Sequence, residues 1–122
     1  MSEDGIRYGR MAPGIGVADI DRAVAFYTGV LGFAATFRNG NPVIFTIVER
    51  DAAELHLLLA PGYRGPAFNV AHLFVSDVDA LHARCVTAGA PIIKALADKD
   101  YGMRAFVVED PDGNRIDIGM AD

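Results

Sequence analysis

Glu54, His56, His72 and Asp117 can move protons or bind metals, and each sits in an apolar run: Ala53-Glu54-Leu55-His56-Leu57, Val70-Ala71-His72-Leu73-Phe74 and Arg115-Ile116-Asp117-Ile118. In a strand this alternation sends the polar groups to one face and the aliphatic groups to the other. Imidazole and carboxylate on a shared face suit general acid–base work. His56, His72 and Asp117 also have the composition of a two-histidine, one-carboxylate centre, which would hold one divalent metal ion. The alternative is a metal-free pocket in which both histidines contact a ligand or are simply hydrogen-bonded. Asp117 then either touches the ligand or pairs with Arg115 or Arg104. Phe74, with Tyr101 and Arg104 as an aromatic and cationic wall, completes a candidate ligand-binding set of His56, His72, Phe74, Tyr101, Arg104 and Asp117. Nucleophilic catalysis has little to work with. The two serines, Ser2 and Ser76, lie in no Gly-x-Ser-x-Gly setting, and Gly14-Ile15-Gly16 lacks the third glycine of a phosphate loop.

The elements that must position these groups repeat. Val17, Asp19, Ile20 and Asp21 return as Val75, Asp77, Val78 and Asp79, nearly half of the 122-residue chain further on. In each copy an alternating stretch ends and a helical one begins, with Asp19 and Asp77 as N-caps and Gly32 and Gly89 as left-handed C-caps. The first half reads as a strand over 11–17, a helix over 20–31 and strands over 33–38, 42–49 and 53–60. Asn39-Gly40-Asn41 and Arg50-Asp51 supply the hairpin turns. A Gly- and Pro-containing loop leads to a strand over 69–75, a helix over 78–88, a strand near 91–96 and a hairpin over 103–119. Asp110-Pro111-Asp112-Gly113 is its turn. The fold class is α+β, a single domain over 1–122 made of two βαβββ units, about 10–60 and 68–120.

Leu55, Leu57, Leu59, Ala71, Leu73, Val75, Ile116 and Ile118 are expected to pack under the helices. Glu54, His56, Leu58, Val70, His72, Phe74, Arg115 and Asp117 then face a concavity, with Ala12, Gly14 and Gly16 leaving space. Phe26 and Tyr27 read as core beside Ala23 and Leu31, Cys85 as a buried packing residue, and His82 as exposed. A cavity filled by Phe45, Phe74 and Phe106 would instead mark a partner-binding module.

A hydrophobic content of 52% suits one shared core. The net charge of −5 and scattered basic residues argue against nucleic acid, and no stretch approaches the roughly 20 apolar residues of a membrane span. The acidic start Met1-Ser2-Glu3-Asp4-Gly5 lacks a signal-peptide run, and a lone cysteine points to a reducing cytoplasm.

The two βαβββ units, the run Asp19-Ile20-Asp21-Arg22-Ala23 leading to Phe26-Tyr27 and Leu31-Gly32-Phe33, and Glu109-Asp110-Pro111-Asp112-Gly113-Asn114 resemble the vicinal oxygen chelate superfamily of glyoxalases, bleomycin-resistance proteins and dioxygenases. The resemblance implies two βαβββ units forming a cupped mixed sheet. In metal-dependent members, ligands sit on the first and last strands of each unit. The matching positions here are Ala12, His56, Val70 and Asp117, of which the two apolar ones cannot ligate. His72 lies two residues past Val70, roughly 6.6–6.8 Å along a strand, so a shifted His56–His72–Asp117 centre strains the geometry. Pro13 and the pair Tyr101-Gly102 resemble the bleomycin-resistance-like branch. That branch implies metal-independent, sequestering binding of a small aromatic or planar molecule, no cofactor, and a homodimer. The alternative within the superfamily is a metal- or acid–base-dependent lyase, isomerase or dioxygenase.

Overall fold

The computed structural model describes residues 4–121, so Met1, Ser2 and Glu3 of the acidic start lie outside the described residues. Two βαβββ units follow one another: β1 (Gly14–Val17), α1 (Ile20–Gly29), β2 (Ala34–Asn39), β3 (Phe45–Arg50) and β4 (Ala53–Leu59), then β5 (Asn69–Phe74), α2 (Val78–Thr87), β6 (Ile92–Asp98), β7 (Met103–Glu109) and β8 (Arg115–Ala121). Each unit forms a four-stranded mixed sheet, in the orders β1-β4-β3-β2 and β5-β8-β7-β6. In both, the first strand runs parallel to the last and the other pairings are antiparallel.

The helix ends follow the expected chemistry. The Asp19 carboxylate accepts from the Arg22 amide and that of Asp77 from the Ala80 amide, each at 3.0 Å, satisfying donors that the first turn cannot pair internally. Gly32 and Gly89 hold φ of +77° and +75°, and the amides that follow them return to Tyr27 O and Cys85 O at 2.9 and 3.0 Å. A side chain at such a φ is strained, which is why glycine ends both helices.

Two strands start later than expected, and proline accounts for both. Pro13 accepts at its carbonyl from the His56 amide but has no N–H to give, so β1 begins at Gly14 rather than at 11. Pro42 likewise lies outside the ladder, and β3 begins at Phe45.

The strand parity holds. Leu55, Leu57, Ile116 and Ile118 are buried with Ile15, Val17, Tyr27, Phe106 and Val108 in one core shared by both units. At roughly 25 cal/mol per Å2 of apolar surface, this shared burial is the largest favourable contribution holding the halves together. Cys85 is buried in the same core, and burial pushes its thiol pKa up. His82 is half-buried rather than exposed, its ring meeting Phe106 edge-on at 4.9 Å.

A polar tie also joins the units. The β7–β8 turn 110–114 inserts beneath α1 with Asp110, Asp112 and Asn114 all buried. Asp110 Oδ1 accepts from the Asp112 and Asn114 amides at 2.8 and 2.9 Å, and Oδ2 from the Tyr27 hydroxyl at 2.7 Å and Asn114 Nδ2 at 3.0 Å. Asp112 Oδ1 accepts from the Ala18 amide at 3.0 Å and from Arg22 at 2.6 Å, while Asn114 Nδ2 donates to Gly16 O at 2.9 Å. Each buried oxygen that is partnered this way avoids the cost of losing water unrewarded.

Candidate ligand-binding site

Register decides which side chains share the face away from the helices. On the first sheet Gly14 lies opposite His56, Ile47 opposite His56, and Glu49 opposite Glu54. On the second sheet His72 lies opposite Asp117 on β8, and Asp117 opposite Val107 on β7.

Two imidazole–carboxylate pairs result. His56 Nε2 is 2.6 Å from Glu54 Oε2, and its ring meets Phe45 edge-on at 5.3 Å. Glu54 also accepts from Arg10 Nε at 2.7 Å. The His56 hydrogen bond first, then the Arg10 hydrogen bond and charge, hold the Glu54 carboxyl below its ordinary pKa. On the second sheet His72 Nδ1 is 3.0 Å from Asp117 Oδ2. Asp117 therefore pairs with His72, not with Arg115 or Arg104; Arg115 instead lies 3.4 Å from Glu109.

Between β4 and β5 a cleft of about 320 Å3 opens, walled by Met11, Pro13, Phe33, Leu73 and Phe74, floored by the core residues Tyr27, Leu55 and Ile116, with Glu54 and His72 also in its lining. Each of these belongs to one of the two pairs, so His56–Glu54 and His72–Asp117 flank the same cleft. Phe74 is 72% exposed, Phe106 is buried on the helix side, and neither ring plugs the opening.

The predicted set is only partly gathered. His72 and Phe74 line the cleft, while His56 and Asp117 stand behind Glu54 and His72. Tyr101 is exposed and does not line it. Arg104 points the other way. It shares a face with Phe106 and reaches α2, donating to both Asp79 oxygens at 2.9–3.3 Å and to Asp98 at 3.3 Å. It is thus a structural clamp on α2, and the cationic wall expected from it is not at the cleft.

The four superfamily ligand positions do not fit a metal within this chain. Ala12 and Val70 offer no donor, which leaves only His56 and Asp117 of the four. Among the described residues no group of three His, Cys, Asp or Glu side chains converges, so His56, His72 and Asp117 do not form one centre. Residues that sequence reasoning did not place here, Met11, Phe33 and Leu73, complete the cleft. They follow from the separation of β4 and β5, which no local pattern encodes.

Two βαβββ units, each closing a four-stranded mixed sheet whose first strand runs parallel to its last, define the architecture of this α+β protein. A family model of the glyoxalase/bleomycin resistance protein/dioxygenase superfamily matches residues 8–118, and the chain belongs to that superfamily. The fold is also that of TioX from Micromonospora sp. ML1, with a TM-score of 0.78 at 24% identity over 94% of this chain and 100% of that one. A bleomycin-binding protein solved in complex with bleomycin gives a TM-score of 0.78 at 22% identity, with the same coverage. An uncharacterized protein of Mycobacterium bovis is 46% identical over 49 residues, which cover 40% of this chain and 32% of that protein. The matched stretch thus spans about a third of the relative's length. Among the described residues no helix is long and apolar enough to cross a membrane.

Proposed function

We propose that the protein binds and sequesters a small aromatic or planar organic molecule without a metal, in a resistance-like role, and acts as a cytoplasmic homodimer. The observation that carries this reading is the cleft between β4 and β5. Its walls are mainly apolar and aromatic, and Glu54 and His72 in its lining are held in place by His56, Arg10 and Asp117. That combination suits orientation of a flat ligand more than bond-making. Membership of the superfamily and a fold shared with a bleomycin binder support it.

The test is a thermal-shift screen of planar aromatic compounds against chelator-treated protein, followed by product analysis of every binder. Stabilisation should grow as RT ln(1 + [L]/Kd), with the compound recovered intact. Product formation from a tight binder would overturn it.

One observation favours a second reading, an acid–base lyase or isomerase of the superfamily. Two imidazole–carboxylate pairs border one cleft, which places a proton donor and acceptor on opposite walls. It requires turnover that disappears in His72→Ala and in Glu54→Gln.

A further inference from the structure

The two units differ in the turn before their last strand. Beneath α1 the five-residue β7–β8 turn is packed and hydrogen-bonded, whereas the corresponding β3–β4 turn beside α2 has two residues, Asp51 and Ala52. Where the longer turn would have filled the space, a cavity of about 470 Å3 remains, bounded by Arg50, Asp51, Phe33, Leu73, Phe74 and Leu81.

One guanidinium lines this cavity, that of Arg50, and a second, that of Arg84, lies beside Gly32, whose chain neighbours Leu31 and Phe33 are lining residues, without itself lining the cavity. A Cβ built on Gly32 would overlap Arg50 Nη1 while lying 3.1 Å from Nη1 and 3.4 Å from Nη2 of Arg84. Arg84 comes from α2 and has no ion pair among the described residues, and Arg50 reaches only Asp51, at 3.9 Å. Asp51 itself is turned to solvent, and the Asp77 carboxylate, also at the cavity, is occupied with capping α2. Two like charges converging on one glycine repel, and an anion held between them relieves the repulsion. The remaining wall is aromatic and aliphatic, through Phe33, Phe74, Leu73 and Leu81.

We propose that this cavity is a second binding site, for an aromatic carboxylate whose acid group lies between Arg50 and Arg84 and whose ring packs between Phe33 and Phe74. It shares the Phe33, Leu73 and Phe74 side of the neighbouring cleft but not Glu54 or His72. The two cavities have Leu31, Phe33, Ala52, Ala53, Leu73 and Phe74 in common, so their ligands would compete for the Phe33–Phe74 wall, while the acid group is held outside the cleft.

The probe is 2-naphthylacetate, compared with its methyl ester and with 2-naphthylethanol by fluorescence titration, since the chain has no tryptophan to interfere. The acid is expected to bind about tenfold tighter than either neutral compound, because a charge-assisted hydrogen bond contributes on that order. Arg50→Gln and Arg84→Gln should each weaken the acid about tenfold and leave the ester unchanged, while His72→Ala leaves the acid unchanged. Equal binding of acid and ester overturns the proposal without recourse to any variant. So does acid binding that survives both arginine substitutions, or that is lost in His72→Ala, which would place the acid in the cleft.

Discussion

The Tyr27 hydroxyl on α1 donates to Asp110 Oδ2 in the β7–β8 turn at 2.7 Å, across 83 residues of sequence and wholly within the core. This bond ties the first unit's helix to the second unit's hairpin, so loss of it is felt by both halves. Tyr27→Phe removes the donor and leaves a buried carboxylate oxygen with Asn114 Nδ2 alone. A cost of about 1–3 kcal/mol is expected in urea unfolding, with the unfolding slope unchanged. Burial first, and the Asp110 charge second, raise the Tyr27 pKa well above its ordinary 10.0. Below pH 10 the phenol is neutral in both states and the contribution is whole. As pH rises past 10 the unfolded phenol ionises while the folded one resists, so stability falls. Tyr27→Phe should flatten this alkaline loss.

Glu54 responds at the other end of the pH scale. Its folded pKa lies below the ordinary 4.5, chiefly through His56 and then Arg10. The carboxylate therefore contributes stability above pH 4.5, and that contribution is lost as pH falls through the lowered folded value. Carbon-13 titration of the Glu54 carboxyl should report a midpoint below 4.5 that rises in His56→Ala. A midpoint that stays put would show that the 2.6 Å contact does not govern the cleft.

Thr46 is fully buried on β3, and its hydroxyl has no hydrogen-bond partner among the described residues. An unpaired buried hydroxyl has lost its water without compensation. Thr46→Val keeps the shape and removes that oxygen, so stability should rise by about 1 kcal/mol. Chemical denaturation of the variant measures it, and a decrease would reveal a partner for the hydroxyl in solution.

The sequence carried the local features well. Asp19, Asp77, Gly32 and Gly89 act through neighbours within a few residues, and the Leu55/Leu57 and Ile116/Ile118 alternation leaves only one face to bury. Arg104 was less legible because Met103-Arg104-Ala105-Phe106-Val107-Val108 is apolar at both parities, so alternation cannot say which face meets the helices. The burial of Asp110 and Asn114 was also hidden. A turn of Asp, Pro and Gly ordinarily faces water, and the partners that bury this one, Tyr27 and Gly16, lie 83 and 98 residues away. The cleft and the arginine-lined cavity have the same origin, since both arise where two units meet.

Phe74 borders both cavities yet is 72% exposed, so it contributes to binding far more than to folding. Phe74→Ala should change stability by less than about 0.5 kcal/mol. It should weaken any planar aromatic ligand found in the thermal-shift screen by roughly 5- to 30-fold, the loss typical of a buried aromatic contact. Calorimetric titration distinguishes these effects, and unchanged affinity would remove Phe74 from the site.

Metal binding offers the sharpest discrimination between sequestration and superfamily enzymology. A catalytic metal needs about three protein ligands, and of the four superfamily positions only His56 and Asp117 carry a donor. Each could bind a metal through its free ring nitrogen or oxygen and keep its present partner, but the two together still lack a third ligand, since Ala12 and Val70 offer no donor. Chelator-treated protein should therefore show no rise in Tm with Fe(II), Ni(II), Zn(II) or Mn(II), and His56→Ala and Asp117→Ala should respond as the parent does. Near-stoichiometric uptake that both substitutions abolish would mean that ligands from two sheets, or two chains, converge in solution. The metal-free reading would then give way to a metal-dependent enzyme.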